Sequence, residues 1–383
     1  MSAERRFAET YGRPPEGCWA APGRVNIIGE YTDLTGGFVL PIAIPQVTRV
    51  SAAKRADRRL SVRSLQERSG AGPVDLDLGG THQPKGWAAY PVAVARALEA
   101  SGHRIGGADL LIDSNVPIGA GLSSSAALEC GVAMALCALF EVELAPMTLA
   151  LIAQRAENEF VGVPCGVMDQ VASMCCKTGH ALLLDTRSLH TRQVPFDLSA
   201  AGFALVVIDT GVKHEVGKSA YGDRRASCEA AAQLLGVAAL RDVPTEEVAN
   251  ALGRLTELGD EVLVRRARHV LTEQARVLGV VGHLEAGDLE AIGPLLVDGH
   301  RSLRDDFDVS CAELDTVVDV STASGALGAR LTGAGFGGSA IVLVRQEAVT
   351  AVETAVLAAF DERGFARPAC FSVVPSQGAR RER

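Results

Sequence analysis

The chain has 383 residues, of which 48% are hydrophobic, and it carries a formal net charge of −9 at pH 7. That length favours two domains over a single core, and the hydrophobic content is ample for burial in both. The acidic balance argues against a nucleic-acid partner, and nine cysteines without a C-x-x-C pair argue against a disulfide framework or a zinc site.

The N-terminal half alternates strand-like and helix-like runs. No apolar leader follows Met1, and the longest apolar stretch, 131–140, is too short to span a bilayer, which predicts a soluble cytoplasmic protein with no membrane partner. Hydrophobic periodicity predicts strands at 38–44, 47–52, 60–64, 110–112 and 181–184, and helices at 87–100, 124–140, 146–160 and 166–174.

The C-terminal half begins with a continuous apolar strand at 203–209, after a polar hairpin region. We therefore expect an N-terminal domain of residues 1–198 and a C-terminal domain of residues 199–383. The remaining pattern predicts helices at 220–235, within 258–320 and at 348–363, strands within 331–344 and at 369–374, and a frayed polar tail from residue 376.

The most informative run, 117–127, is Pro-Ile-Gly-Ala-Gly-Leu-Ser-Ser-Ser-Ala-Ala, between a strand-like and a helix-forming segment. The first amides of a helix lack internal partners and its dipole favours negative charge, while Gly119 and Gly121 let the backbone approach an anion without a Cβ. An ordinary serine cap would explain one serine but not three. The run predicts a triphosphate-binding loop formed by Gly119, Ala120, Gly121, Leu122, Ser123, Ser124 and Ser125.

Two further glycine-rich segments lie at 21–41 and 331–340. Gly333, Gly335 and Gly338 satisfy the dinucleotide fingerprint G-x-G-x-x-G, but that fingerprint must follow a strand and open a helix, and here a strand-like run follows it. The dehydrogenase alternative therefore fails on context. The sequence also contains no G-x-x-x-x-G-K-[ST] run and no H-R-D or D-F-G set, which argues against a P-loop enzyme or a protein kinase.

Together the three segments resemble the signature motifs of the small-molecule kinases named for galactose, homoserine, mevalonate and phosphomevalonate. The first segment resembles the galactokinase signature in particular, as do the runs 163–170 and 300–306. The resemblance implies an α+β fold of two lobes with the active site in the cleft between them. It also implies ATP and Mg²⁺ as cofactors, and phosphorylation of D-galactose at the anomeric hydroxyl to give galactose 1-phosphate and ADP.

The same resemblance implies roles for individual residues. It makes Asp169 the proton acceptor or anchor for the sugar hydroxyl, and Arg24 its partner, which stabilises developing phosphoryl charge. It makes Ser125 and Glu157 magnesium ligands, although the residues alone leave open a helix cap for Asp169 and a solvated helix position for Glu157. Sugar contacts are implied for Glu30, Tyr31, Thr32, Asp33, Gly166 and Tyr221, and nucleotide contacts for Ser64 and Trp87.

Two positions depart from the pattern of galactokinases, which usually carry Glu-His-Thr-Asp-Tyr where this chain has Tyr31 and Leu34. A phenol is longer than an imidazole and cannot become a cation near pH 7. A related sugar, such as an N-acetylated or deoxygenated galactose, therefore stays an alternative substrate. A non-catalytic sugar and ATP sensor would be expected to lose part of the serine loop or of the acidic pair, and both are present. We expect a monomer or weak dimer.

Overall fold

The computed structural model describes residues 3–67, 74–80, 84–213 and 217–382, of which 217–221 by backbone only. Over these residues the strands are β1 (Gly17–Asn26), β2 (Phe38–Val39), β3 (Pro41–Lys54), β4 (Arg59–Ser64), β5 (Val74–Asp77), β6 (Ala108–Ser114), β7 (His180–Asp185), β8 (Thr191–Pro195), β9 (Phe203–Asp209), β10 (Gly328–Thr332), β11 (Ser339–Arg345), β12 (Ala369–Val373) and β13 (Arg380–Arg381).

The helices over the same residues are α1 (Ala3–Tyr11), α2 (Ala89–Ala100), α3 (Ser124–Leu139), α4 (Pro146–Arg155), α5 (Met168–Cys175), α6 (Gly217–Leu235), α7 (Val248–Glu257), α8 (Glu261–Glu285), α9 (Ile292–Arg301), α10 (Ala312–Ala323) and α11 (Val349–Arg363). Two π-helical turns, Ala156–Val161 and Ser302–Asp306, extend α4 and α9. None of these helices is both long enough and apolar enough to cross a membrane.

A six-stranded sheet, in the order β13-β1-β3-β6-β4-β5, forms the centre of the N-terminal part. The pairing of β1 with β3 is irregular between Pro22 and Arg24, because proline has no backbone donor. A Cβ at Gly23 would lie 2.6 Å from the carbonyl oxygen of Leu122, and the Arg24 amide donates to that oxygen at 3.2 Å. The irregularity therefore brings β1 against the glycine-rich run that precedes α3.

Helix α3 lies against β1 and β3 on one side and against α2, α4 and α5 on its other sides. Apart from its first two serines and Glu129 its side chains are apolar, as expected of a helix enclosed by other elements, and its many small residues permit close packing. At Gly131 an added Cβ would lie 3.0 Å from a methyl group of Val50 in β3. The packing of α3 against β1 and β3 consequently fixes the position of its N-terminus.

The C-terminal part contains a four-stranded sheet, in the order β10-β11-β9-β12. One apolar cluster includes Val25 of β1, Val207 of β9, Val277 of α8 and Leu343 of β11, so the two parts share an apolar core. A three-stranded sheet, β2-β7-β8, lies in the N-terminal part. The division into domains of residues 1–198 and 199–383 stays a prediction.

Two predictions of secondary structure were wrong, and one strand was missed. The expected frayed tail instead forms β13, which pairs with β1, and the Gly378 amide donates to the Cys176 carbonyl oxygen. The predicted strands 38–44 and 47–52 are largely one strand, β3, which continues past Pro45. Strand β1 was not predicted, because its ten residues are all buried and Pro22 and Gly23 interrupt its strand-like pattern.

Candidate active site

The glycine-rich run forms a tight loop between β6 and the first turn of α3, so the predicted order of strand, loop and helix is confirmed. Gly119, Gly121 and Ser123 have φ values of 82°, 75° and 59°, in the left-handed region that glycine adopts at little cost. Ser123 stands at the N-cap but makes no capping hydrogen bond. The first backbone amides of α3 therefore have no side-chain cap and can donate hydrogen bonds to a bound anion.

A cavity of about 940 Å³ opens beside this helix N-terminus. It brings together Ser64, Trp87, Ser124 and Ser125, which were predicted to contact the nucleotide. The indole Nε1 of Trp87 donates to the carboxylate of Glu67 at 3.3 Å. The cavity is large enough for a nucleotide, and sequence reasoning did not single out its other lining residues, which include Thr48, Gln66, Lys85, Tyr90, Ile118 and Leu128.

Glu157 lies in the π-helical turn after α4, and its side chain is buried. Gln170 Nε2 donates to its Oε2 at 2.8 Å, the Cys165 thiol donates to the same oxygen at 3.3 Å, and the Ser125 hydroxyl is also hydrogen-bonded to the carboxylate. Burial raises the pKa of Glu157, and the negative charge of Asp169 raises it further. A cation would relieve both effects.

This donor set fits Mg²⁺, which prefers carboxylate, hydroxyl and phosphate oxygens. Ser125 and Glu157 supply a hydroxyl and a carboxylate in contact with each other. Within the described ranges, no group of three or more His, Cys, Asp or Glu side chains could hold a metal ion. The protein thus offers a partial oxygen set, of the kind that Mg²⁺ completes with phosphates and water.

Glu129 is a site residue that the sequence analysis missed. It lies one turn after Ser125 in α3, is fully buried and accepts a hydrogen bond from Gln170 Nε2 at 3.0 Å. Burial and the nearby charge of Glu157 hold its pKa well above the usual range. One acidic residue inside an otherwise apolar helix was the available signal, because a buried carboxylate requires a partner.

Asp169 lies in the first turn of α5 and contacts its predicted partner, Arg24, and also Ser123 of the glycine-rich loop. Arg24, 145 positions away in the sequence, donates from Nε to Asp169 Oδ1 at 2.8 Å, and its Nη1 donates to the Gly121 carbonyl oxygen at 2.6 Å. The Ser123 hydroxyl donates to Asp169 Oδ2 at 2.5 Å. The Arg24 side chain is 6% exposed and that of Asp169 is 27% exposed, so the carboxylate is partly accessible while the guanidinium is enclosed.

Asp33 and Gly166 are in direct contact. A Cβ at Gly166 would lie 1.8 Å from Asp33 Oδ2, so only glycine permits the present position of that carboxylate. Burial raises the pKa of Asp33 to about 6, with a further contribution from the negative charge of Asp169. Two carboxylates therefore lie near one another in a position to accept hydrogen bonds from hydroxyl groups.

The side chains of Glu30, Tyr31 and Thr32 form ion pairs or hydrogen bonds with other groups of the protein. Glu30 is 1% exposed, forms an ion pair with Arg330, and its pKa is raised to about 7 by burial, against the lowering effect of that arginine. The Tyr31 hydroxyl donates to the Ala334 carbonyl oxygen, and the Thr32 hydroxyl donates to that of Gly29 at 2.8 Å. Their roles as sugar contacts stay predictions.

Two further positions singled out in the sequence are Tyr221, a predicted sugar contact, and Leu34, which departs from the galactokinase pattern. Tyr221 belongs to α6, but its side chain lies outside the part of the chain that the structure describes. Leu34 lines a second cavity of about 450 Å³, together with Arg187, Cys228 and Leu240. Leu34, which departs from the galactokinase pattern, therefore lies beside a cavity next to the segment that carries Asp33.

Comparison with known proteins identifies matches along most of the chain. Residues 5–54 match the galactokinase galactose-binding signature, residues 89–177 the GHMP kinases N terminal domain, and residues 281–362 the GHMP kinases C terminal domain. A galactokinase of Streptomyces coelicolor is 55% identical over 379 residues, which cover 98% of this chain and 97% of that protein. A galactokinase of Streptomyces lividans is 52% identical over 96% of this chain and 92% of that protein.

Solved structures are similar over the same length. The crystal structure of Lactococcus lactis galactokinase complexed with galactose has a TM-score of 0.93 and 32% identity, and the match covers 98% of each chain. The mevalonate kinase of Methanococcus jannaschii has a TM-score of 0.61 at 18% identity, over 94% of this chain and 98% of that one, which shows a shared fold alone. The predicted two-lobed α+β kinase fold is confirmed.

Proposed function

The chain belongs to the galactokinase family of GHMP kinases, and on that basis we propose that it transfers the γ-phosphoryl group of ATP to the anomeric hydroxyl of D-galactose. The products are galactose 1-phosphate and ADP. The observation that carries the proposal is the position of Asp169, which contacts the phosphate loop through Ser123 and lies near Asp33 on its other side. A sugar hydroxyl bound at this carboxylate would face the end of the triphosphate.

Asp169 orients the attacking hydroxyl. Its two carboxylate oxygens are fixed by Arg24 and Ser123, so the remaining acceptor positions point in defined directions. Phosphoryl transfer has a loose transition state, so alignment contributes much of the rate and removal of the proton contributes less. The carboxylate accepts the hydroxyl proton as the new bond to phosphorus forms.

Arg24 connects Asp169 to the glycine-rich phosphate loop. Its guanidinium is hydrogen-bonded to Asp169 and to the backbone of Gly121, so it cannot move independently of the carboxylate or of the phosphate loop. A fixed positive charge at this position stabilises the negative charge that develops on the transferring phosphoryl group.

Ser125 and Glu157 would hold Mg²⁺ in the enzyme. Their contact with each other and the elevated pKa of the buried Glu157 carboxylate support this assignment. When bound, the ion would neutralise part of the negative charge on the phosphates of the nucleotide. Gln170 and Cys165 donate to one oxygen of Glu157 and so orient the carboxylate toward Ser125.

Galactose is the proposed substrate, and a related galactose-like sugar is the alternative. The alternative rests on Tyr31, whose hydroxyl donates a hydrogen bond to the Ala334 carbonyl oxygen inside the protein, and on Leu34, which borders a cavity. A non-catalytic sensor is less well supported, because the serine loop, Glu157 and Asp169 are all in place. A cytoplasmic location and a monomeric or weakly dimeric state stay predictions.

Release of ADP should be measured with galactose, N-acetylgalactosamine, the singly deoxygenated galactoses and glucose. We expect the highest kcat/KM with galactose, and expect Asp169→Asn to lower kcat by about 100-fold or more while the protein still binds galactose. Asp298→Asn, an exposed aspartate on α9, is the matched control and should retain wild-type turnover. Activity confined to another sugar would reject galactose, and equal rates for Asp169→Asn would remove Asp169 from the chemistry.

A further inference from the structure

Arg330, on β10, is the largest of the fully buried side chains in the described part of the chain. Its guanidinium contacts two carboxylates that are also buried: Nη1 donates to Glu273 Oε1 at 2.9 Å, and Nη2 donates to Glu30 Oε2. Glu273 in turn accepts a hydrogen bond from Arg276 at 2.7 Å. Burying such charges is costly unless each is paired, and here two arginines neutralise two glutamates.

This charge cluster joins the segment that carries the predicted sugar contacts, residues 29–35 (the sugar loop), to two distant elements. Glu273 belongs to α8, and its Oε1 accepts the Gly29 amide at 3.0 Å. Glu30 Oε1 accepts the Gly333 amide at 3.3 Å, just after the end of β10. The cluster therefore holds both the backbone before Glu30 and the carboxylate of Glu30 itself.

The sugar loop is also held from its other side. His269 lies within hydrogen-bond distance of the Glu30 carbonyl oxygen, at 3.1 Å, and of the Ser302 hydroxyl, at 3.0 Å. Phe307 packs against the rings of both His269 and Tyr31. These contacts fix the backbone of the loop, whereas Arg330 is the arginine that forms an ion pair with the Glu30 carboxylate.

We propose that Arg330 is a positioning residue for the sugar site, which it organises by fixing Glu30 and the sugar loop between α8 and β10. The proposal rests on the proposed function, because it assigns these loop residues to a sugar. A planar guanidinium can donate to two carboxylates in fixed directions, whereas a lysine ammonium is a point charge on a flexible stem. Replacing the fork by a point charge should therefore release Glu30 while preserving the net charge.

The experiment compares Arg330→Lys, Glu30→Gln and the double variant by calorimetric galactose binding without ATP and by KM for ATP. We expect each single variant to weaken galactose binding by about tenfold or more, since a misplaced polar group cannot satisfy the sugar hydroxyl. The double variant should bind no more weakly than the weaker single variant, and KM for ATP should stay within about twofold. A non-additive loss of galactose affinity, with KM for ATP unchanged, would support the proposal.

Arg55→Lys is the matched control, because Arg55 bridges Asp57 and Asp109 as Arg330 bridges its two glutamates. It should leave galactose binding unchanged. If Arg330→Lys does not fold, Glu273→Gln decides the question, because it loosens the other side of the guanidinium and keeps an oxygen acceptor. We expect that variant to lower galactose affinity without an effect on KM for ATP.

Any of three results would overturn the proposal. The first is wild-type galactose affinity in the folded variants, and the second is a parallel loss of sugar binding and ATP use that matches the loss of stability. Additive effects of Glu30→Gln and Arg330→Lys would also overturn it, because independent roles add. Failure of the proposed function would be detected separately, because the wild-type chain would then release no ADP in the presence of galactose.

Discussion

Asp33 shows how one carboxylate takes its properties from its neighbours. Burial raises its pKa to about 6, the charge of Asp169 adds to this, and Arg24 acts in the opposite direction. The native carboxyl binds a proton at a higher pH than its usual value of 3.8, so the native chain holds more protons between these limits. The contribution of Asp33 to the free energy of unfolding therefore falls as the pH rises through this window.

The same titration should govern sugar binding. If Asp33 accepts a sugar hydroxyl as an ionised group, galactose affinity should rise as the pH increases through about 6. Asp169→Asn removes the negative charge that raises this pKa, so the midpoint should move to lower pH. Calorimetric galactose binding between about pH 4 and about pH 8 measures the midpoint, because this range brackets the raised pKa of about 6 and extends toward the usual value of 3.8. A midpoint that is unchanged in Asp169→Asn would contradict the interaction.

Gly166 offers a steric test of the same carboxylate. In Gly166→Ala the new methyl group would lie 1.8 Å from Asp33 Oδ2, so the aspartate side chain must move away. Because the obstacle is the end of a side chain, we expect the fold to persist and KM for galactose to rise by about tenfold or more, with KM for ATP unchanged. Steady-state kinetics with each substrate varied in turn would measure the two values.

Gly253→Ala is the control, since Gly253 lies on α7 and an added Cβ meets nothing within 4 Å. It should leave both KM values unchanged and raise stability by about 0.5–1 kcal/mol, because alanine favours a helix. Wild-type KM for galactose in Gly166→Ala would show that Asp33 does not need its present position.

Residue identities in the site could be inferred from motifs, but their contacts could not. The sequence supplied Arg24 and Asp169 as a pair only through resemblance, and the structure places them in contact. Arg330 received no role, because one arginine in a strand-like run carries no signal of the two carboxylates that meet it. Such long-range pairing is set by packing of the whole chain and leaves no local pattern.

At the scale of elements, α5 and the turn before it serve two functions at once. Asp169 faces Arg24 and Ser123, whereas the next residue, Gln170, faces Glu129 and Glu157. Adjacent helical residues point about 100° apart, so one short helix can contribute to the sugar side and to the metal side. The position of this helix therefore sets the relation between the two groups of site residues.

Removal of the Gln170 amide should weaken the metal site specifically. In Gln170→Ala, Glu157 loses a hydrogen bond of 2.8 Å that orients its carboxylate, so we expect the Mg²⁺ concentration for half-maximal activity to rise by about 10–100-fold. Binding of Mn²⁺ with a non-hydrolysable ATP analogue, followed by electron paramagnetic resonance, provides a reading that does not depend on turnover.

Gln193→Ala is the matched control, because Gln193 donates to the Cys175 carbonyl oxygen at the opposite end of α5. It removes a glutamine contact to the same helix and should not alter the metal requirement. Equal effects of the two substitutions would indicate that Gln170 supports the helix and does not orient Glu157.

Elements marked by strong periodicity or by a continuous apolar run could be predicted, whereas a fully buried strand interrupted by a Pro-Gly pair could not. The strand, loop and helix around residues 117–127 have the expected order, because glycines and apolar runs mark their limits. Strand β1 has no alternation, since each of its residues is buried, and its Pro22-Gly23 pair is typical of a loop. Its extended structure is set by backbone pairing with the neighbouring strands β3 and β13.

For the whole molecule, the resemblance gave the two-lobed fold, but the path of the chain between the parts was not visible in the sequence. After β12 the chain leaves the C-terminal sheet and returns to the N-terminal one as β13. On its way the Ala379 amide donates to the Ser173 carbonyl oxygen at 2.7 Å, and the Gly378 amide donates to that of Cys176 at 2.9 Å. The last residues therefore hold the C-terminal end of α5.

Stepwise truncation would separate the two contributions of this segment. Deletion of residues 380–383 removes β13 and its pairing with β1, whereas deletion of residues 376–383 also removes the hydrogen bonds to α5. Each lost backbone hydrogen bond costs about 1 kcal/mol, so we expect the longer deletion to lower Tm by about 5–10 °C. Because α5 carries Asp169 and Gln170, only the longer deletion should also lower kcat. Thermal unfolding by circular dichroism and ADP release measure the two effects, and equal kcat values for both truncated chains would show that the tail stabilises the sheet without positioning the helix.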